Sequence, residues 1–274
     1  MKNYTTHTLK LLIAFFSLVI MLASCEYKDV ADAEYPDQLI YMPAALYNPF
    51  YINTVALPLG NTTPGNNYRY IVDMQGNKFN VPLAVYRSGI DNKGAFKVDI
   101  SVNTDTIAKL QAAGEALEGV KLLASDKYTI ASSVDMLDDK EIASFNLSVK
   151  LDSMLANYSK NTVFALGVTI SSTDRETNPL LATTIMVIDT KMMKPTADFT
   201  YTVDGTNPKR VTFTNSSDMS IVYEWNFGDG SAISAERSPI HTFAATGTYT
   251  VTLKALGITG EQDKTIKTTD INIL

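Results

Sequence analysis

Hydrophobic and polar residues alternate along several stretches of the chain, as they do in β-strands that bury one face. The clearest stretch is residues 96–102, with apolar residues at Phe96, Val98, Ile100 and Val102. The pattern recurs at Phe145, Leu147, Val149 and Leu151 and at Phe164, Leu166, Val168 and Ile170. Residues 183–189 are apolar on both faces, as in a central sandwich strand. These patterns predict an all-β fold with half-buried strands.

Two short stretches have helical spacing instead. Residues 105–117 place apolar side chains three and four positions apart, after a candidate cap at Thr104 or Asp105. Residues 152–158 form the second stretch. Short helices between strands leave the all-β prediction unchanged.

A change of pattern near residue 194 divides the strands into two groups. The sequence "TKMMKP" at 190–195 shows no alternation and ends in proline, and a new series of strands follows it. We therefore predict two domains in tandem, at residues 39–190 and 195–274.

The N-terminal segment has the features of an export signal. Lys2 and Lys10 precede an apolar run, Leu11–Leu22, which is shorter than the roughly 20 residues that a membrane-spanning helix needs. The "LASC" that ends at Cys25 resembles the lipobox of bacterial lipoproteins, and an ordinary signal peptide with a chance cysteine is the alternative. We predict a signal peptide at 1–24, a lipid on Cys25 that binds the membrane, and an acidic tether at 25–38. This implies the outer membrane and the cell surface, with the periplasmic face as the alternative.

Composition narrows the classes of function. The chain has 274 residues and a net charge of −6, and it has no cluster of lysine and arginine that would bind nucleic acid. Cys25 is the only cysteine, and His241 is the only histidine after residue 24. Because the predicted lipid occupies the Cys25 thiol, no free cysteine remains, so a His/Cys zinc site and a Cys–His dyad cannot form, and we predict no metal and no cofactor.

In the second domain, an aromatic strand leads into a glycine-rich turn. Its alternation places Ile221, Tyr223, Trp225 and Phe227 on one face. Trp225 is therefore expected in a core. Gly228 and Gly230 give the backbone freedom for the turn, and the Asp229 carboxylate can accept hydrogen bonds from its N–H groups.

The sequence "YEWNFGDGS" (223–231) followed by "SPIHTFAATGTYTVTL" (238–253) closely resembles the PKD (polycystic kidney disease) domain. The resemblance implies an immunoglobulin-like β-sandwich. It also implies structural roles for the motif residues, which are Trp225, Phe227, Gly228, Asp229, Gly230, His241 and Tyr249. The alternative is a cation site formed by Asp229, Asn226 and Asp218, although calcium needs six or more oxygen ligands.

The first domain carries a second resemblance. The sequences "YRSG" (86–89), "YTI" (128–130) and "LGVTIS" (166–171) are similar to a domain-of-unknown-function family of Bacteroidetes surface lipoproteins. This resemblance implies another immunoglobulin-like sandwich, found in glycan-utilisation systems, and it assigns no functional residue.

The residues indicate binding and not catalysis. The clustered acids lie in turn-like polar stretches, where a solvated surface is expected, whereas a glycosidase needs two carboxylates facing each other across a cleft. These acids are Asp135, Asp138, Asp139 and Glu141. We therefore predict no catalytic residue and no enzyme activity.

Aromatic residues crowd the segment 41–70, at Tyr41, Tyr47, Phe50, Tyr51, Tyr68 and Tyr70. Tyr47, Phe50 and Tyr51 have a proline-flanked, least strand-like setting and form the predicted platform for a polysaccharide. The alternative is that these rings seal the end of the sandwich. The alternative functions are a structural spacer, a protein-interaction component of an outer-membrane complex, and an adhesin.

Overall fold

A computed structural model describes residues 37–52, 70–89, 91–114, 117–158 and 161–274. The predicted signal peptide, Cys25 and all but the last two residues of the predicted tether lie outside them. Gln38–Leu274 forms one compact unit, in which strands predominate, and the prediction of an all-β fold is confirmed. Among the described residues, no helix has the length and hydropathy needed to cross a membrane.

The first half of this unit is built from short and long strands that form two six-stranded sheets. The strands are β1 (Leu39–Tyr41), β2 (Phe50–Ile52), β3 (Ile71–Asp73), β4 (Lys78–Arg87), β5 (Phe96–Val102), β6 (Lys121–Leu122), β7 (Tyr128–Ile130), β8 (Ser133–Met136), β9 (Ile142–Lys150), β10 (Val163–Ser171), β11 (Glu176–Thr177) and β12 (Thr183–Asp189). The helices are α1 (Asp105–Ala113) and α2 (Leu151–Tyr158), with 3-10 turns at Pro43–Tyr47, Ser125–Lys127 and Thr190–Met193.

The first sheet has the order β11-β1-β4-β9-β7, with β3 beside β4. The second has the order β2-β12-β10-β5-β8, with β6 beside β10. β1 and β2 therefore belong to different sheets, although only the Pro43–Tyr47 turn and two further loop residues follow Met42 between them. This turn carries the chain from one sheet to the other.

Side chains from both sheets form one hydrophobic core. The predicted inward residues of β9, together with Leu151, are all buried, as are the first three of β5. Val102 is the exception, because β5 ends there and its side chain is 36% exposed.

Helix α1 covers the outer face of the second sheet. Its Ile107 packs with Ala165 of β10 and with Ile185 and Val187 of β12 in a separate cluster. The prediction that residues 183–189 are covered on both faces is thus confirmed. The prediction that residues 164–170 have one wet face is wrong, because Ala165 is only 1% exposed.

The start of α1 also differs from the prediction. Thr104 makes no side-chain capping bond and already has helical dihedral angles. The cap is the preceding residue, Asn103, whose side-chain oxygen accepts a hydrogen bond from the Thr106 N–H at 3.1 Å. A close approach at this point also explains a glycine, because a Cβ at Gly167 would lie 2.1 Å from the Asn103 carbonyl oxygen.

The second half contains two three-stranded sheets, β13-β14-β16 and β15-β17-β18. Their strands are β13 (Phe199–Val203), β14 (Arg210–Asn215), β15 (Val222–Asn226), β16 (Ile240–Thr242), β17 (Gly247–Gly257) and β18 (Gly260–Ile273). A single hydrophobic cluster lies between the sheets, formed by Phe199, Val211, Phe213, Trp225, Phe227, Phe243, Val251, Leu253, Ile271 and Ile273. Two packed β-sandwiches in tandem therefore make up the unit.

Candidate functional site

The 3-10 turn Pro43–Tyr47 presents two apolar side chains to solvent. Ala45 is buried beneath it and Met42, the residue before it, is fully buried, whereas Leu46 is 62% and Tyr47 68% exposed. The turn thus has an inner side that joins the core and an outer side that carries an exposed aromatic ring.

Hydrogen bonds on both sides fix this turn to strand β12 and to the loop before it. The Met42 N–H donates to the Leu181 carbonyl at 3.0 Å. The Asn48 side chain donates to the Thr183 carbonyl at 3.2 Å and accepts from the Ile185 N–H at 2.9 Å. Tyr47 is therefore held between two anchored residues.

The structure divides the three predicted platform residues. Phe50 and Tyr51 lie in β2, which pairs with β12 in parallel, so the expectation of an irregular segment is wrong. Neighbouring strand residues point to opposite faces: Phe50 packs against the first core, whereas Tyr51 is 42% exposed. Phe50 therefore does not belong to an exposed platform, which leaves Tyr47 and Tyr51.

The other aromatic residues of the segment are mostly packed. Tyr70 is only 8% exposed and stacks on Phe79, with ring centroids 4.8 Å apart. Tyr41 is half-buried beside Tyr86, at 5.9 Å between centroids. Tyr68 lies outside the described residues. Sealing of the sandwich therefore accounts for Tyr41 and Tyr70 but not for the exposed Tyr47.

The Gly-Asp-Gly turn of the second half forms a hydrogen-bonded corner. The Asp229 carboxylate accepts bonds from His241 Nε2 at 2.7 Å and from the Ser231 hydroxyl at 2.6 Å. The His241 ring stacks on Phe227 with centroids 3.9 Å apart. Gly228 has φ +77°, and a Cβ there would lie 2.5 Å from the Thr250 carbonyl oxygen. The corner thus joins the end of β15 to β16 and β17.

Asp218 and Asn226, the other two residues of the alternative cation site, make hydrogen bonds to neighbouring residues of the second sandwich. Asp218 pairs through its backbone with Thr196, and the Asn226 side-chain oxygen accepts from the Gly228 N–H at 2.9 Å. Across the described part of the chain, no group of three or more His, Cys, Asp or Glu residues is placed to hold a metal ion. Tyr249 also contacts the second sandwich: its hydroxyl donates to the Ala245 carbonyl at 3.0 Å, and its ring packs against the core.

We expect the corner to make the stability of the second sandwich depend on pH in acid. Burial alone would raise the pKa of Asp229, but hydrogen bonds from Ser231 and His241 outweigh it and lower that pKa from 3.8 to about 2. A carboxyl whose pKa is depressed in the folded state stabilises the fold above its unfolded pKa and loses this effect as it is protonated. The free energy of unfolding should therefore fall by about 2 kcal/mol between pH 4 and pH 2.

Urea unfolding followed by the fluorescence of Trp225, the only tryptophan, measures this loss. The Asp229→Asn variant should lose less stability over the same pH range. Asp198→Asn, which removes an exposed carboxylate of the same sandwich, is the matched control and should keep the wild-type acid sensitivity. Equal acid sensitivity in Asp229→Asn and the wild type would contradict the prediction.

A buried arginine organises the loops at one end of the first sandwich, and sequence reasoning missed it. Arg87 is 2% exposed, and its guanidinium donates to the carbonyls of Lys93 and Gly94 at 2.9 Å and of Leu137 at 2.7 Å. Burial lowers the pKa of Arg87 from its ordinary value. The signal was present, because the buried alternate positions of β4 continue in register to Arg87.

Arg87 also lies over an aromatic ring that a second arginine shares. Its guanidinium carbon is 4.9 Å from the centroid of Phe96, and that of Arg175 is 5.1 Å from the same centroid. Such contacts are favourable because the ring face carries partial negative charge. The "YRSG" sequence at 86–89 thus contains the arginine that hydrogen-bonds to both of these loops.

The clustered acids lie on the surface near these loops. Asp135, Asp138, Asp139 and Glu141 are all exposed. Asp138 accepts from the Gly94 N–H at 2.7 Å, and Asp139 pairs with Lys93 at 2.6 Å. Their described contacts are those of a solvated, loop-binding surface, and the absence of catalysis stays a prediction.

The architecture and the aromatic corner define a tandem β-sandwich protein with a PKD domain in its second half, and the PKD family model matches residues 192–273. A second family model, described as an N-terminal domain, matches residues 41–177, which is half of the chain. The chain belongs to the family of this N-terminal domain. Both resemblances identified in the sequence are thereby confirmed.

Solved structures with some likeness include three bacterial proteins. The PKD1 domain of the Vibrio cholerae metalloprotease PrtV is 28% identical, with a TM-score of 0.26, over 29% of this chain and 96% of its own. A putative carbohydrate binding protein from Bacteroides ovatus is 9% identical, with a TM-score of 0.39, over 85% of this chain and 70% of its own. An auxiliary nutrient binding protein from Bacteroides thetaiotaomicron is 15% identical, with a TM-score of 0.35, over 74% and 67%. These likenesses are too distant to transfer a ligand or a residue role.

Proposed function

We propose that this chain is a non-catalytic outer-membrane lipoprotein that binds a polysaccharide at the cell surface, with Tyr47 and Tyr51 as the contact residues. The observation that carries the proposal is the 68% exposure of Tyr47 on a turn whose two ends are hydrogen-bonded to the sandwich. An aromatic ring normally buries most of its area in a core or an interface. A ring kept in water by an anchored backbone is a feature that a binding role would explain.

The chemistry of the exposed rings fits a sugar. The C–H face of a pyranose can stack on a flat aromatic ring, as nucleic-acid bases do on aromatic platforms. Tyr47 also has a hydroxyl group that can hydrogen-bond to a sugar, and Leu46 adds apolar surface beside it. Because the turn is already fixed, little conformational freedom is lost on binding.

The expected affinity is low. Two exposed rings bury little area, and a millimolar dissociation constant corresponds to only about 4 kcal/mol. Many identical sites on a cell surface would raise the effective affinity for a repeating polymer. A polysaccharide therefore suits this surface better than a free monosaccharide.

Binding is tested by affinity electrophoresis of the purified protein in gels that contain a panel of host and plant polysaccharides. At least one polysaccharide should retard the wild type, and the Tyr47→Ala/Tyr51→Ala variant should lose this retardation. Tyr201→Ala is the matched control, because Tyr201 is a 40% exposed aromatic residue in the second sandwich; this variant should migrate as the wild type does.

Two outcomes would overturn this function. Equal retardation of the wild type and the double variant would remove Tyr47 and Tyr51 from the contact. No retardation in any gel, together with co-purification of an envelope protein, would favour a spacer or protein-interaction role.

The membrane part of the proposal rests on Cys25. Each buried methylene of an acyl chain contributes about 0.8 kcal/mol, so several chains hold a protein firmly where one chain binds marginally. Cys25→Ser should move the protein from the membrane fraction to the soluble fraction or leave the precursor unprocessed, as seen by fractionation and immunoblotting. A variant that is processed normally and stays in the membrane would show that Cys25 is not the anchor.

A further inference from the structure

The segment between the two sandwiches is packed into the first of them. In the 3-10 turn Thr190–Met193, Met192 and Met193 are fully buried members of the first core. The Thr190 side chain is also buried, and its hydroxyl donates to the Thr162 carbonyl at 2.7 Å. A flexible linker exposes its side chains and solvates its backbone, whereas only Lys191 and Lys194 are exposed among residues 190–195.

Residues of the second sandwich pack on the same cluster. Met219 precedes β15 and Ile258 lies at the tip of the β17–β18 hairpin, and both are packed against the first core. Thr259 beside it is only 4% exposed. At Gly257 a Cβ would lie 3.1 Å from the Met219 carbonyl oxygen and 3.2 Å from Pro195 Cδ. The hairpin tip, the loop and the linker therefore meet closely.

The backbone is also fixed across the boundary. The Lys194 N–H donates to the Lys191 carbonyl at 3.0 Å. Two residues further on, Thr196 and Asp218 exchange backbone bonds of 2.9 and 3.1 Å. Between the hydrogen-bonded N–H groups of Lys194 and Thr196 lies only one peptide group, the one that joins Lys194 to Pro195. Proline has no N–H, so this peptide group has no hydrogen to donate.

Met219 has an unusual backbone conformation for its residue type. Its φ is +51°, in the left-handed region that residues other than glycine, asparagine and aspartate rarely adopt. Such a conformation persists where surrounding packing over-determines it. At Met219 that packing includes the first core.

We propose that Met192, Met193, Met219 and Ile258, here called the junction cluster, lock the second sandwich onto the first. The partner of this apolar surface is the first sandwich of the same chain. The two sandwiches then move as one body, whereas interdomain motion is the usual expectation for small contacts between domains. The proposal does not depend on polysaccharide binding.

Spin-label distance measurements test this on the full chain. The single native cysteine is removed with Cys25→Ser, and labels are attached through Lys109→Cys on α1 and Thr248→Cys on β17, both at exposed positions. The distance distribution should be single and narrow. Ile258→Asp, which places a charge in the junction cluster, should broaden it about twofold or more.

The matched control is Ile266→Asp, because Ile266 lies on the same hairpin but is 57% exposed; it should leave the distribution narrow. Trp225 fluorescence shows whether each variant keeps the second sandwich folded, and the milder Ile258→Ala replaces Ile258→Asp if that variant unfolds. A broad distribution in the wild type would overturn the proposal. An unchanged width in the folded Ile258 variant would overturn it as well.

Discussion

Trp225→Ala is expected to destabilise the second sandwich by about 3–5 kcal/mol, the usual range for removing a large buried aromatic side chain. Trp225 is fully buried, with its ring centroid 5.0 Å from that of Phe199 and 5.4 Å from that of Phe213. Its indole N–H also donates to the Glu236 carbonyl at 3.0 Å. The total free energy of unfolding of a native protein is only about 5–15 kcal/mol, so the second sandwich of the variant should be close to unfolding.

Amide hydrogen exchange in β17 and β18 measures the effect locally, without the lost tryptophan as a probe. Trp225→Phe keeps most of the packing but loses the bond to Glu236, so its destabilisation should be intermediate. Ile266→Ala changes a 57% exposed side chain and should change stability by less than about 0.5 kcal/mol. The burial of Trp225 would be contradicted if Trp225→Ala lowered the free energy of unfolding by less than about 1 kcal/mol. A wild-type emission spectrum typical of a water-exposed indole would contradict it as well.

Arg87→Met should destabilise the first sandwich by about 2–4 kcal/mol. Methionine keeps much of the apolar length of the side chain, but it leaves the carbonyls of Lys93, Gly94 and Leu137 without the guanidinium donor. A fully buried acceptor that loses its partner costs about 1–3 kcal/mol, and these three part-buried carbonyl groups should each cost less, because water can reach them. The variant no longer has to bury a charged guanidinium, and the desolvation free energy that this saves offsets part of the loss.

Urea unfolding followed by circular dichroism measures the change in stability, and tryptic cleavage after Lys93 reports whether its loop has loosened. Cleavage should be faster in Arg87→Met. Arg175→Met is the matched control, because it removes the other guanidinium over Phe96 without removing the three carbonyl bonds. If the two variants unfold at the same urea concentration and are cleaved at the same rate, the bonds of Arg87 contribute little.

The alternation of apolar and polar residues predicted strands correctly where the burial of each side chain follows from the residues of the strand itself. Phe145, Leu147 and Val149 are buried as expected, because a period of two places them on one face of β9. The aromatic spacing around Trp225 likewise predicted a buried ring. In both cases the position in the strand and the burial follow from the same few residues.

The errors arise where distant segments decide the outcome. The outer face of β10 is dry because α1 lies over it, and nothing within residues 164–170 shows that cover. Phe50 is in a strand because β12, more than 130 residues away, supplies its hydrogen-bonding partner. Arg87 continues the buried alternate positions of β4, but a charged residue is normally expected at the surface. Its buried position depends on three carbonyl groups outside β4, which the sequence of β4 does not show.

The outermost strands of the first sandwich are short. In the described part of the chain, β11 has two residues and β7 three in the first sheet, and β2 has three and β8 four in the second. The longer inner strands are therefore flanked by partners too brief to template a foreign strand. In the second sandwich β18 is long, but it carries charged residues along its length, including Lys264 and Lys267. A protein crowded in the plane of a membrane, as proposed here, would thereby resist edge-to-edge polymerisation with its neighbours.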